Sequence, residues 1–198
     1  MKRRKVENLM ALAILAAVAF RPMHPYEMAS TLRGWGKDRD LQIKWGSLYT
    51  VVRNLTRHGL LEEVESTREG RRPERTVYRI TEAGRAELID WTRELLSVAE
   101  PEFPRFRAGL SMMSVLAPDE VTALLQQRLA TVETQIAAAR EELDRHDDVP
   151  RLFLIEVEYD QAMLAAEAAW MRSLITELTA GTLPGLAKWR RFHHRDPA

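Results

Sequence analysis

Cysteine is absent from this 198-residue chain, which excludes disulfides and thiolate metal sites and fits a cytoplasmic protein. No apolar run approaches the roughly 20 residues that span a bilayer. The stretch VENLMALAILAAVAF is about the length of a signal h-region, and MKRRK resembles a basic n-region. Glu7 and Asn8 interrupt its start, however, and no small-residue cleavage site follows Phe20, so a buried N-terminal helix is the better reading. The nine glycines form neither a P-loop nor a dinucleotide fingerprint. The histidines lack ligand spacing: His24, His58 and His146 lie far apart, and the adjacent His193 and His194, in the basic tail KWRRFHHR, do not share a helix face. That tail reads as a solvated terminus. Glu62-Glu63 and Asp147-Asp148 fall at a strand start and a turn, as solvated charge rather than an acid–base pair. The expectation is a protein that is not an enzyme and holds no cofactor and no metal.

A net charge of either sign is also missing, with 29 basic and 29 acidic residues. The balance hides a segregation. Residues 1–80 hold sixteen Lys/Arg against nine Asp/Glu, and residues 81–198 hold thirteen against twenty. A polyanion-binding half joined to an acidic half is a natural reading; chance segregation in a helical protein is the bland one.

What is present is ordinary globular composition, 45% hydrophobic and 29% charged. Val6 to Phe20 predicts an apolar helix. Pro25 suits the first turn of a second helix, to about Leu32. RGWGKDRDLQIKW is a loop with a little extended structure near Leu41 to Ile43, and Trp35 and Trp45 at its flanks cover helix edges. Ser47 to His58 is a third helix, capped by Gly59. Leu60–Thr67 and Arg75–Ile80 read as strands around the polar tip REGRRPE. Thr81 caps a fourth helix running through Leu88, Trp91 and Leu95 toward Ala99.

Three helices, a two-stranded hairpin and a helix make a winged helix-turn-helix. At 100° per residue, Leu48, Val51, Val52 and Leu55 face the core, while Thr50, Arg53 and Arg57 point away and Tyr49 flanks them. Such a helix can enter the major groove, where residues near its N-terminal half reach base edges. Ser47, Tyr49, Thr50, Arg53 and Arg57 are its candidate DNA contacts. Arg68, Arg71, Arg72 and Arg75 at the wing can reach phosphates or the minor groove. Lys2, Arg3, Arg4 and Lys5 read as a phosphate-touching arm or as a solvated tail.

Three blocks in order, PMHPYEMASTL, GSLYTVVRNLTRHGLLEEV and RTVYRITEAGRAEL, resemble the PadR family of bacterial transcriptional regulators over residues ~6–90. His24-Pro25-Tyr26-Glu27 is similar to the family's His-Gly-Tyr-Glu stretch, and Leu48-Tyr49 to its Leu-Tyr pair. Pro25 replaces the usual glycine, Thr50 a common proline and Thr56 a common acidic residue. The resemblance implies a dimeric, effector-responsive regulator, often a repressor, of a pseudo-palindromic site. It also implies that a small aromatic or hydrophobic effector can release the DNA; Trp91 on the fourth helix is the candidate lining.

The second half begins with a connector, PEFPRFRAGLSMMSVLAP, holding a short apolar helix. From Pro118, Leu125, Leu129, Val132, Ile136, Ala139 and Leu143 repeat as a heptad seam. HDDVP breaks it. Leu152, Ile155, Tyr159, Met163, Ala166, Trp170, Leu174 and Leu178 follow at three- and four-residue intervals. Two long helices joined by a short turn form an antiparallel hairpin with apolar surface left for a second copy. The expected fold is mostly α, an α+β winged helix over residues 1–99 that binds DNA, then a long-helix domain over residues 100–198 that dimerises. The dimerisation candidates are Leu125, Leu129, Val132, Ile136, Leu143, Tyr159, Met163, Trp170 and Leu174. Trp91 and Trp170 also read as packing residues, Tyr49 as a core-edge residue, and Arg53 and Arg57 as a solvated face. A winged-helix adaptor that binds a protein partner through the hairpin is the alternative function.

Overall fold

The computed structural model describes residues 4–37, 41, 44–67, 75–101, 104–145 and 148–193. The chain divides into two compact units, Met1–Pro101 and Glu102–Ala198.

In the first unit the central element is α1 (Leu9–Phe20), whose Asn8 cap accepts a hydrogen bond from the Met10 N–H at 2.8 Å. The cap starts the helix three residues later than the apolar run suggests. Met10, Ile14, Leu15, Val18 and three alanines are buried, because α1 is covered on several sides. Around it pack α2 (Pro25–Gly34), α3 (Leu48–Arg57), the strand β2 (Arg75–Ile80) and α4 (Glu82–Ser97).

Helix α2 opens on a capping box: the His24 ring accepts from the Tyr26 N–H at 3.1 Å, and Glu27 accepts from the His24 N–H at 2.9 Å. Pro25 stands in the first turn as expected. A short 3-10 turn, Trp45–Ser47, leads into α3. The helix closes on Gly59 at φ 70°, whose N–H donates to Thr56 O while Leu60 N–H donates back to Leu55 O, both at 2.9 Å. This paired closure is the Schellman arrangement, and it turns the chain directly into β1 (Leu61–Thr67).

Strands β1 and β2 are antiparallel, with Leu61 opposite Ile80 and Glu63 opposite Tyr78, and the register shifts between Val64 and Thr67. Met23 adds an isolated antiparallel bridge on the other edge of β2 that the sequence pattern hides: its N–H donates to Tyr78 O and its C=O accepts from Tyr78 N–H, each at 3.0 Å. Thr81 then caps α4, accepting from Gly84 N–H at 3.0 Å and donating to Gly59 O at 2.7 Å. Gly84 is sterically required, since a Cβ there would sit 2.1 Å from Leu60 O.

The second unit contains α5 (Arg105–Met112), α6 (Pro118–Arg145), α7 (Ile155–Ala180) and α8 (Leu186–His193). Helices α6 and α7 form the expected hairpin, tied across by Arg128–Glu167 at 2.7 Å and Arg172–Glu133 at 2.6 Å. Val121, Leu125, Val132 and Ile136 of α6 meet Ala168, Met171 and Leu178 of α7 in one core, closed by Leu186. The terminal segment 186–193 is a helix and not a loose solvated terminus: the Trp189 indole N–H donates to Leu116 O at 2.9 Å.

Candidate nucleic-acid interface

Helix α3 separates its residues sharply. Leu48, Val51, Val52 and Leu55 are buried, while Tyr49, at 57% exposure, and Thr50, Arg53 and Arg57 stand in solvent. The Arg53 guanidinium lies 3.5 Å from the Thr50 hydroxyl, so the two are adjacent on the outer face. Ser47 is half-buried, and its hydroxyl donates to Lys44 O at 2.8 Å, which engages it in its own turn.

Below the helix stands Tyr78. Burial pushes its hydroxyl pKa up, and the Glu63 carboxylate across the strand pair, which also hydrogen-bonds it, adds to that rise. On the wing, Arg79 is held by Glu62 at 2.8 Å. Arg33 stacks over Trp45 at 4.4 Å, and Trp35 meets Phe20 edge-on at 5.5 Å, as residues covering helix edges do.

Several expected contacts fall elsewhere. Lys2, Arg3, Arg68, Arg71 and Arg72 lie outside the described residues, as does the side chain of Arg75, which opens β2. Lys5 is exposed. Arg4 is a correction. Its side chain is 1% exposed and turned inward: it pairs with Glu87 at 2.6 Å and with Glu94, and lies 5.1 Å from the Trp91 ring centroid. A guanidinium so enclosed cannot also contact phosphate.

Trp91 is a second correction. At 2% exposure it is part of the first unit's core, so it lines no open site, and its indole N–H has no partner. The dimerisation candidates also divide. Leu125, Val132 and Ile136 are buried against their own hairpin partner and offer nothing to a second copy. Leu129 and Leu174 are partly buried against the same core, and Leu143 is half-buried near the hairpin turn. Tyr159, Met163 and Trp170 remain 63%, 53% and 47% exposed, Trp170 resting edge-on against Phe106 at 6.2 Å. The heptad alone could not tell an intrachain seam from an interchain one, since both need the same repeat.

Residues 14–90 match the transcriptional regulator PadR-like family. No curated protein matches the sequence significantly. Among solved structures, Bacillus subtilis PadR in complex with operator DNA is similar, with a TM-score of 0.71 at 17% identity over 87% of this chain and 99% of that one. The same protein in complex with p-coumaric acid gives 0.70 at 16%, over 86% and 99%. The Vibrio cholerae virulence activator AphA gives 0.66 at 19%, over 86% and 98%. At these identities the likeness establishes the fold.

Proposed function

We propose that the chain, whose residues 14–90 match the transcriptional regulator PadR-like family, is a regulator of that kind, a cytoplasmic repressor that binds a pseudo-palindromic operator as a homodimer. The observation that carries this reading is the outer face of α3, where Tyr49, Thr50 and Arg53 stand exposed opposite a fully buried apolar row. A rigid helix with that division presents side chains to base edges while its core face fixes their direction. Arg57, one turn further on, suits a phosphate.

A homodimer is supported by α7, whose apolar surface runs past the core-facing row onto the adjoining flank. Ala168, Met171 and Leu178 fill the hairpin core, and Tyr159, Met163 and Trp170 face outward. A small aromatic or hydrophobic effector is a natural ligand for such a protein, given that a similarly folded regulator is seen with p-coumaric acid. To shift DNA affinity the effector must bind the DNA-free state better than the bound one.

Footprinting on the chain's own upstream region, followed by titration of Arg53→Ala, tests the reading. Loss of a bidentate base contact should reduce discrimination against non-operator DNA by about 1–3 kcal/mol. Unchanged specific and non-specific affinities in Arg53→Ala would remove α3 from the interface.

A further inference from the structure

An acidic residue stands beside the outer face of α3, and the register of the hairpin shows how it gets there. Leu61 pairs with Ile80, both buried, and two residues further along Glu63 pairs with Tyr78. Alternation along a strand puts these four on one face, the side packed against the core. Glu62 and Arg79 pair on the opposite face and hold each other at 2.8 Å. The Glu62 carboxylate is thus matched by an arginine. Glu63 is exposed, on the face that carries Leu61 and Ile80, and forms no ion pair among the described residues.

Tyr78 links this carboxylate to α3. Its backbone N–H and C=O both bond Met23, and it lies in the core with Val51, Val52 and Leu55, so its position is fixed. Burial pushes its hydroxyl pKa up. Glu63, to which the hydroxyl donates, pushes it further, the Arg53 charge works against both, and Tyr49 adds to the rise. The hydroxyl therefore emerges under the flank of α3 that Tyr49 and Arg53 share, four positions apart. Arg53 itself lies against the Thr50 hydroxyl and is bonded to no carboxylate among the described residues.

We propose that Glu63 is a specificity-determining positioning residue of the α3 interface: its carboxylate, seated on Tyr78 beside Arg53, offsets the pull of that guanidinium on phosphate and leaves it effective where a base edge offers two acceptors. The proposal rests on the DNA-binding reading above. A cation that reads a base also attracts every phosphate it passes, and that attraction is blind to sequence. A carboxylate nearby weakens it at a distance, where net charge counts. It takes little from a bidentate contact to guanine, which depends on the direction of the donors. Specificity is a difference between two affinities, so lowering the sequence-blind one raises it. A direct Glu63–Arg53 ion pair would serve less well, because DNA would have to break it.

Glu63→Gln keeps an acceptor for the Tyr78 hydroxyl and removes the charge. The full chain is titrated across salt with its footprinted operator and with a scrambled duplex of equal length. The variant should bind the scrambled duplex about three- to tenfold more tightly at low salt. The slope of log K against log salt should steepen by up to about one unit. Operator affinity should rise less, so operator preference falls. In an Arg53→Ala background, Glu63→Gln should change neither affinity, because the cation it balances is gone. Tyr78→Phe keeps the ring and unseats the carboxylate. It should shift scrambled-duplex affinity the same way by a smaller amount, and it stands in where Glu63→Gln loses its fold. Equal gains with and without Arg53 make Glu63 a general repellent of phosphate and overturn the proposal. A carboxylate also accepts from a cytosine amino group; operator affinity that falls in Glu63→Gln, with scrambled binding unchanged, makes Glu63 a direct reader and overturns it as well. Wild-type binding by Glu63→Gln, while Arg53→Ala still loses operator preference, overturns it and leaves the α3 reading intact. A wild-type chain that binds no DNA overturns both.

Discussion

Arg4 shows how a basic residue in a basic run can be structural. Its two terminal guanidinium nitrogens pair with Glu87 and Glu94 on α4, with Trp91 beneath it and the buried Nε left without a hydrogen bond. Arg4→Met keeps the apolar stem and removes the charge that Glu87 and Glu94 share. The first unit should lose about 3 kcal/mol, the lower end for a broken buried pair because the carboxylates keep some water. Urea unfolding followed by tryptophan fluorescence measures it. The salt slope of DNA binding should not change, whereas a lost phosphate contact would lower it by about one unit. Glu27 makes a different residue-scale prediction. The His24 backbone N–H donates to its carboxylate, burial opposes ionisation, and Arg21 favours it, so the pKa is held below the ordinary 4.5. A lowered folded-state pKa means that ionised Glu27 stabilises the fold above pH ~4.5, and that this contribution is lost as pH falls through the folded value. Glu27→Gln keeps an acceptor for the cap but cannot titrate, so its stability should fall less steeply than wild type below pH ~4.5. Parallel slopes from pH 6 down to pH 3 would remove Glu27 from the acid response.

At the scale of elements, α7 fills the hairpin core with one row of residues and leaves Tyr159, Met163 and Trp170 exposed beside it, and substitutions should separate the two. Ile136→Ala, on α6 against the inner face, opens a cavity in the hairpin core and should cost about 2–5 kcal/mol of stability. Met163→Lys, on the outer face, leaves that core intact. Under the proposed dimer it should shift sedimentation toward monomer at micromolar concentration with little change in the far-ultraviolet spectrum. A Met163→Lys chain that remains fully dimeric moves the interface off this face. The same division explains why the heptad on α6 was legible as a seam while its partner was not: hydrophobic periodicity reports that a face is covered, not by which chain.

The whole molecule divides after Pro101 into two units with separate cores. Because the core of the first unit is complete in itself, a chain ending at Pro101 should fold cooperatively and be largely monomeric. It should bind DNA weakly and with strong salt dependence, and lose most preference for the two-fold site. Two half-sites spaced near one helical turn, about 34 Å, need two linked copies. Analytical ultracentrifugation and titration on one and two half-sites check this; a stable dimer with undiminished full-site affinity would place dimerisation in the first unit.

Local signals in the sequence determined much of this. The apolar rows of α1 and α3, the Pro25 start, the Gly59 stop, the Thr81 cap and the long-helix hairpin each depend on neighbours within a few residues, and all are found as expected. Only the tertiary structure decided matters that join distant residues. Arg4 meets Glu94 ninety positions away, Met23 bridges to Tyr78, and Trp189 pins the last helix to Leu116. No periodicity encodes such pairs, because a charge or an indole has the same local pattern whether it faces water, a phosphate or a buried partner. The energy that chooses among them comes from desolvation and geometry, and those exist only once the chain has folded.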